Sequence, residues 1–251
     1  MKEVRIIMGM PIEIEIVDLD PTDIFEKAFE YLGTVDKRFS TYKNDSEISR
    51  INRREVALSE VSADMREVLV LAEKTKKETD GYFDIRRPDG LLDPSGIVKG
   101  WAIRNTAALI HNAGYKNYFV NAGGDIAMSG TNAEGKGWSV GIRNPFNSNE
   151  IVKVMHPRGK GVATSGSYIR GDHIYNPHAP EQKLNEIVSI TVIGPDVLEA
   201  DRFATAAFAM GQRGIVFIEN LPDFEGYAID KNGLATMTSG FTAFCRGEVL
   251  G

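Results

Sequence analysis

The chain is poor in the residues that would signal several large functional classes. One cysteine, Cys245, among 251 residues excludes an internal disulfide and leaves no thiolate cluster for zinc. Long apolar runs are missing, and none approaches the ~20 residues needed to cross a bilayer. The segment Met1-Lys-Glu-Val-Arg-Ile-Ile-Met-Gly has no apolar signal-peptide core and no Leu-x-x-Cys lipobox, so a cytoplasmic protein is expected. Basic excess is also absent: 29 Lys and Arg against 35 Asp and Glu give a net charge of −6, which argues against general nucleic-acid binding. What remains is an ordinary globular composition, 42% hydrophobic and 25% charged, and long enough for a substantial core.

Periodicity organises the chain into helices first and strands later. Ile12, Ile14 and Ile16 alternate with Glu13 and Glu15 as a half-buried strand. Asp20-Pro21 reads as an N-cap followed by proline at the first helical position, with Phe25, Ala28, Phe29, Leu32 and Val35 at helical spacing behind it. Ser62 opens a second helix, with Met65, Val68, Leu69 and Ala72 inward and Gly81 past its end. A third runs from about Ile97 to Asn112, burying Ile97, Trp101, Ala108 and Leu109 and stopping at Gly114. Strands are expected at 117–121, 138–142, 151–155 and 187–193. Pro195-Asp196 opens a fourth helix to Met210, residues 212–220 form a fifth, and Asn232-Gly233 turns a closing hairpin. Without regular βαβ alternation this is an α+β chain, read as a single domain over residues 1–251.

Five stretches are candidates for chemistry. Asp93-Pro-Ser-Gly-Ile-Val-Lys99-Gly has glycines and a lysine at a helix start, a setting that suits phosphate, yet it matches neither a Walker A loop nor a dinucleotide fingerprint. Asp201 and Thr205 lie four apart, so they share one helix face. Ala200, Ala204, Ala206 and Ala207 around them leave room for a ligand or another backbone. A carboxylate and a hydroxyl so placed suit a hard cation such as Mg²⁺, and equally a solvated aspartate beside a threonine bonded to its own helix. Asn121-Ala-Gly-Gly-Asp125 and Ala163-Thr-Ser-Gly-Ser-Tyr168 read as amide-rich turns that can face a ligand or simply link strands. Ser165 has no neighbouring histidine and no Gly-x-Ser-x-Gly elbow, which disfavours a serine hydrolase. His173, in a polar turn, is the candidate base, whereas a lone loop histidine is also an ordinary surface residue.

Taken in order, these pieces resemble the ApbE family of FAD:protein FMN transferases. The resemblance rests on Met8-Gly9, Phe39-Ser-Thr-Tyr42 with Ser46-Glu-Ile, Gly81-Tyr-Phe-Asp84, Asp93 to Gly100, Asn121 to Asp125, Ala163 to Gly166, His173-Ile and Ala200-Asp-Arg-Phe-Ala-Thr205. It implies a fold of mixed helices and largely antiparallel sheets related to the T-fold, with a flavin site in a cleft between lobes. It implies Mg²⁺-dependent cleavage of FAD, release of AMP and attachment of FMN to a threonine hydroxyl of an acceptor flavoprotein, with Mn²⁺ as an open substitute for Mg²⁺. By the same resemblance Met8, Tyr42, Tyr82, Phe83, Asp84, Asp93, Lys99 and Ile174 line the FAD site. The Gly96 carbonyl, Asp201 and Thr205 hold the metal, and His173, Lys99 and Asp201 are the catalytic set. The acceptor would carry a Ser/Thr-Gly-Ala-Thr-like segment. A pyrophosphatase splitting FAD into FMN and AMP, and a non-catalytic FAD-binding module, are the alternative readings.

Three departures from the family pattern stand out. Asp84 and Asp93 are close together where relatives often carry a longer segment, which should leave the flavin more open. The usual Asp-Pro-x-Thr-Gly reads Asn176-Pro-His-Ala-Pro, losing a carboxylate and a hydroxyl near the expected site. Many relatives are exported lipoproteins, and without such a signal the acceptor is expected on the cytoplasmic side.

Overall fold

The structure is a computed structural model that describes residues 1–18, 21–167 and 174–245. Its frame is an eight-stranded sheet in the order β1-β2-β3-β4-β7-β8-β9-β10, with every neighbouring pair antiparallel. The strands are β1 (Lys2–Ile7), β2 (Met10–Ile16), β3 (Tyr118–Ala122), β4 (Asp125–Ser129), β7 (Gly161–Gly166), β8 (Ile187–Gly194), β9 (Glu225–Asp230) and β10 (Ala235–Met237). A separate two-stranded sheet pairs β5 (Val140–Asn144) with β6 (Asn147–Met155). Helices are inserted between β2 and β3, namely α1 (Thr22–Phe39), α2 (Glu47–Asn52), α3 (Ala63–Glu78) and α4 (Ser95–Asn112). Two more, α5 (Val197–Ala209) and α6 (Arg213–Glu219), lie between β8 and β9. The expected α+β class holds.

Strand β2 obeys its alternation: Ile12, Ile14 and Ile16 are all fully buried, each contributing roughly 1.5–3 kcal/mol on transfer from water. They pack with Phe25, Ala28, Leu32 and Val35 of α1 and with α3 and α4 in one core. Strand β4 faces two cores at once, because Ala127 joins that helical core while Ile126 and Met128 meet Val140, Ile142 and Met155 of the small sheet. Strand β8 is likewise covered on both faces, which explains its near-continuous apolar run.

Local signals account for most boundaries. Ser62 accepts the Met65 N–H and Asp196 accepts the Glu199 N–H, so both N-caps stand as read. Helix α1 begins one residue later than expected, with Pro21 at the cap and no side-chain hydrogen bond there; Asp20 lies outside the described residues. Within α4, Ile97 and Trp101 are buried as expected, but Ala108 is exposed and Leu109 only half-buried. Ile103, Ala107 and Ile110 take the inner face instead. Residues 163–166 are strand, not turn: they form the end of β7 and pair with β8.

Candidate active site

A cleft of about 480 Å³ opens where the N-terminus of α4, the end of β7 and the middle of α5 converge. Asp93 starts it by accepting the Ser95 N–H at 3.1 Å, which fixes the turn into α4. The first turn of α4 then directs the positive end of the helix dipole at the cleft, a setting that favours an anion. Lys99, one turn further along, lines the same cleft.

Helix α5 supplies the opposite wall. Asp201 and Thr205 both reach the cleft, and the alanines around them are spent on close helix packing. A Cβ on Gly100 would lie 2.7 Å from Asp201 Cβ and 3.0 Å from Leu198 Cα, so α4 and α5 touch backbone to backbone there. On the other side Gly214 of α6 abuts the Ala207 backbone. Helix α5 therefore receives one helix backbone at Leu198 and Asp201 and another, on its other side, at Ala207.

The charged centre is compact. Asp201 is 3% exposed; its Oδ2 accepts the Gly100 N–H at 2.7 Å and its Oδ1 lies 3.8 Å from Lys99 Nζ. Burial pushes the Asp201 carboxyl up to about 8; the Lys99 ammonium pulls against this and the Asp125 charge adds to it. Asp125 is fully buried, accepts the Thr164 N–H at 3.0 Å through Oδ1, and places Oδ2 2.6 Å from Lys99 Nζ. Beside them the Thr205 hydroxyl donates to the Gly96 carbonyl at 3.4 Å and stands 3.5 Å from Ser165 Oγ.

The Gly96 carbonyl, the Thr205 hydroxyl and the Asp201 carboxylate thus form a set of hard oxygen donors, which fits Mg²⁺ or Mn²⁺. Among the described residues no group of three or more His, Cys, Asp or Glu could hold a metal ion. Glycine at 96 has a packing reason: a Cβ there would stand 3.2 Å from both the Phe83 ring and the Thr205 methyl.

The outer cleft is aromatic. Phe83 is buried, and Tyr42, 97% exposed, stands at the rim. The Tyr82 ring meets the His178 ring at 4.6 Å, with the Arg213 guanidinium 5.7 Å from its centroid. Asp84 pairs with Lys76 at 2.7 Å and accepts the Arg86 N–H. The short segment from Asp84 to Asp93 is a tight hairpin, with Arg86 bridged to Leu92, and it turns Arg87 and Pro88 to the cleft. In the Asn176-Pro-His-Ala-Pro segment Asn176 accepts the His178 N–H, and His178 Nε2 lies 2.8 Å from the Asp80 carbonyl.

Tyr42, Tyr82, Phe83, Asp84, Asp93, Gly96, Lys99, Ile174, Asp201 and Thr205, scattered over 160 residues of sequence, line this one cleft. Met8 does not line it; it sits in the β1–β2 turn with φ 53° and packs against the helical core. His173 lies outside the described residues. Asp125, Thr164 and Ser165 complete the site; the sequence marks their two stretches as able to face a ligand but gives none of the three a side-chain role. Asp125 had left a trace, since an acid opening the strand Ile126-Ala-Met128 must be paired once that strand is buried.

The ApbE family model matches residues 8–89 and 86–228. A FAD:protein FMN transferase of Salmonella typhimurium is 26% identical over 268 residues, covering 81% of this chain and 77% of the relative. One from Haemophilus influenzae is 26% identical, covering 83% and 79%. The solved flavin transferase ApbE from Vibrio cholerae superposes with a TM-score of 0.85 at 25% identity, over 97% of this chain and 98% of that one. An ApbE protein from Thermotoga maritima shares the fold with a TM-score of 0.86 at 20% identity, over 98% and 99%. With a cleft of this composition and a family match over most of its length, the chain belongs to the ApbE family.

Proposed function

We infer that this chain is an FAD:protein FMN transferase that moves FMN from FAD to a threonine hydroxyl of an acceptor flavoprotein and releases AMP. The observation that carries the reading is the meeting of an aromatic-rimmed cleft with a lysine, a helix N-terminus and a set of hard oxygen donors at its floor. Curated relatives named FAD:protein FMN transferase support it.

Positions in the cleft support these roles for every residue but His173, whose role comes from the family resemblance. Tyr42, Tyr82 and Phe83 offer aromatic surface to the flavin ring system. Lys99 and the first turn of α4 offer positive potential to the pyrophosphate. The Gly96 carbonyl, Asp201 and Thr205 would hold Mg²⁺, which when bound neutralises pyrophosphate charge and polarises the bond to be broken. His173 is the proposed base for the acceptor hydroxyl. The threonine oxygen forms a bond to the phosphorus of the FMN half, the pyrophosphate bridge breaks, and AMP leaves with the electron pair, so no redox partner is needed.

Incubation with FAD and Mg²⁺, with and without a domain bearing a Ser/Thr-Gly-Ala-Thr-like segment, tests the reading. Covalently yellow acceptor is the expected result. Free FMN and AMP formed equally well without acceptor would make the protein a pyrophosphatase, and unchanged FAD in both arms would leave only a flavin-binding module.

A further inference from the structure

Lys99 lies between two carboxylates and is not shared evenly. Its Nζ is 2.6 Å from Asp125 Oδ2 and 3.8 Å from Asp201 Oδ1. The difference has a visible cause. Asp125 sits at the start of β4, has no exposed surface, and is fixed by the Thr164 N–H of β7 through its other oxygen. Its Oδ2 is paired with the ammonium, and the Asp125 side chain also meets the Asp201 carboxyl. A buried carboxylate so placed holds an ammonium strongly, because losing it would leave an uncompensated charge. Asp201 is anchored differently: Oδ2 takes the Gly100 N–H, while Oδ1 stays clear of the lysine by more than a hydrogen-bond length.

We propose that Asp125 is a positioning residue that tethers Lys99 and so keeps the ammonium from closing on Asp201, leaving Asp201 Oδ1 to a divalent cation. This rests on the metal reading given under Proposed function. Two effects act in the same direction. The tether fixes where the ammonium sits, and the Asp125 charge balances that ammonium, so the charge Asp201 gains on ionising is left to the cation. Without the Asp125 charge the nearest anion for Lys99 among the described residues is Asp201, and the lysine and the cation would compete for one oxygen. Asp125 touches neither FAD nor the reacting atoms, and its influence runs through Lys99.

Direct titration with Mn²⁺ in the absence of flavin, followed by electron paramagnetic resonance, tests this without any turnover. Native protein, Asp125→Asn, Lys99→Met and the double variant are compared, with melting curves recorded metal-free. Asp125→Asn should weaken Mn²⁺ by roughly 10–100-fold, the usual range for loss of a group that supports a metal ligand. Lys99→Met should recover most of that loss in the Asp125→Asn background and change Mn²⁺ affinity much less in the native background, whereas charge removal alone would act equally in both. Should Asp125→Asn melt below the titration temperature, Asp125→Ser, which keeps an oxygen for the Thr164 N–H, should give the same ordering. Unchanged Mn²⁺ affinity in Asp125→Asn, or an equal loss with and without Lys99→Met, overturns the tether. A native protein that binds no Mn²⁺ overturns the metal reading and the tether together, so the two failures are distinguishable.

Discussion

The backbone N–H of Gly100 donates to Asp201 Oδ2 at 2.7 Å, and the bare Cα of Gly100 is what lets α4 and α5 come close enough for it. One contact thereby joins helix packing to the placement of the proposed metal ligand. Gly100→Ala would put a methyl 2.9 Å from Asp201 Oδ2 and 3.0 Å from Leu198 Cα. Overpacking of this kind costs about 1–3 kcal/mol. The variant should melt early and also lose Mg²⁺-induced stabilisation, measured by calorimetry. A variant that melts normally and binds Mg²⁺ normally would show that the helices have slack at this crossing.

Burial holds a proton on Asp201 up to about pH 8 in the metal-free protein. The sign follows from linkage: the folded state keeps this proton where the unfolded chain has lost it. The contribution to stability is fully present below the unfolded value near 3.8 and is lost as pH rises through about 8. A bound cation needs the ionised carboxylate, so its affinity should rise over the same interval. The upward shift in melting temperature caused by saturating Mg²⁺ should therefore be larger at pH 8.5 than at pH 6. An equal shift at both values would contradict the assignment of Asp201.

How far the sequence reached is clearest at particular residues. Ile12, Ile14 and Ile16 gave β2 because a strand with one buried face writes its period into the chain. Strand β1 escaped notice because its outward residues, Val4 and Ile6, are apolar and exposed, so no alternation marks it. Strand β7 was misread as a turn: Thr164, Ser165 and Gly166 are small and polar, but they end a central strand whose far end opens on the cleft. The family resemblance collected the residues of the cleft; spacing alone had linked only Asp201 with Thr205. Asp125 needed the fold, since its partner Lys99 is distant in sequence and meets it only across the α4–β4 contact.

The segment 174–180 is held to the rest of the cleft through His178, whose Nε2 lies 2.8 Å from the Asp80 carbonyl and whose ring packs against Tyr82. His178→Ala removes one hydrogen bond, worth roughly 1 kcal/mol, so KM for FAD should rise about fivefold. kcat should change much less, because His178 does not reach the floor of the cleft. Steady-state kinetics with varied FAD would check this, and an unchanged KM would show that His178 does not fix the segment.

The measurement closest to the central claim is the intact mass of an acceptor domain after incubation with this protein, FAD and Mg²⁺, with AMP counted in the same reaction. The account predicts that each modified acceptor gains the mass of FMN less one water on a single threonine, with one AMP released per flavin attached, and that Asp201→Ala abolishes both signals together. AMP release with no gain in acceptor mass, or full modification by Asp201→Ala, would contradict it.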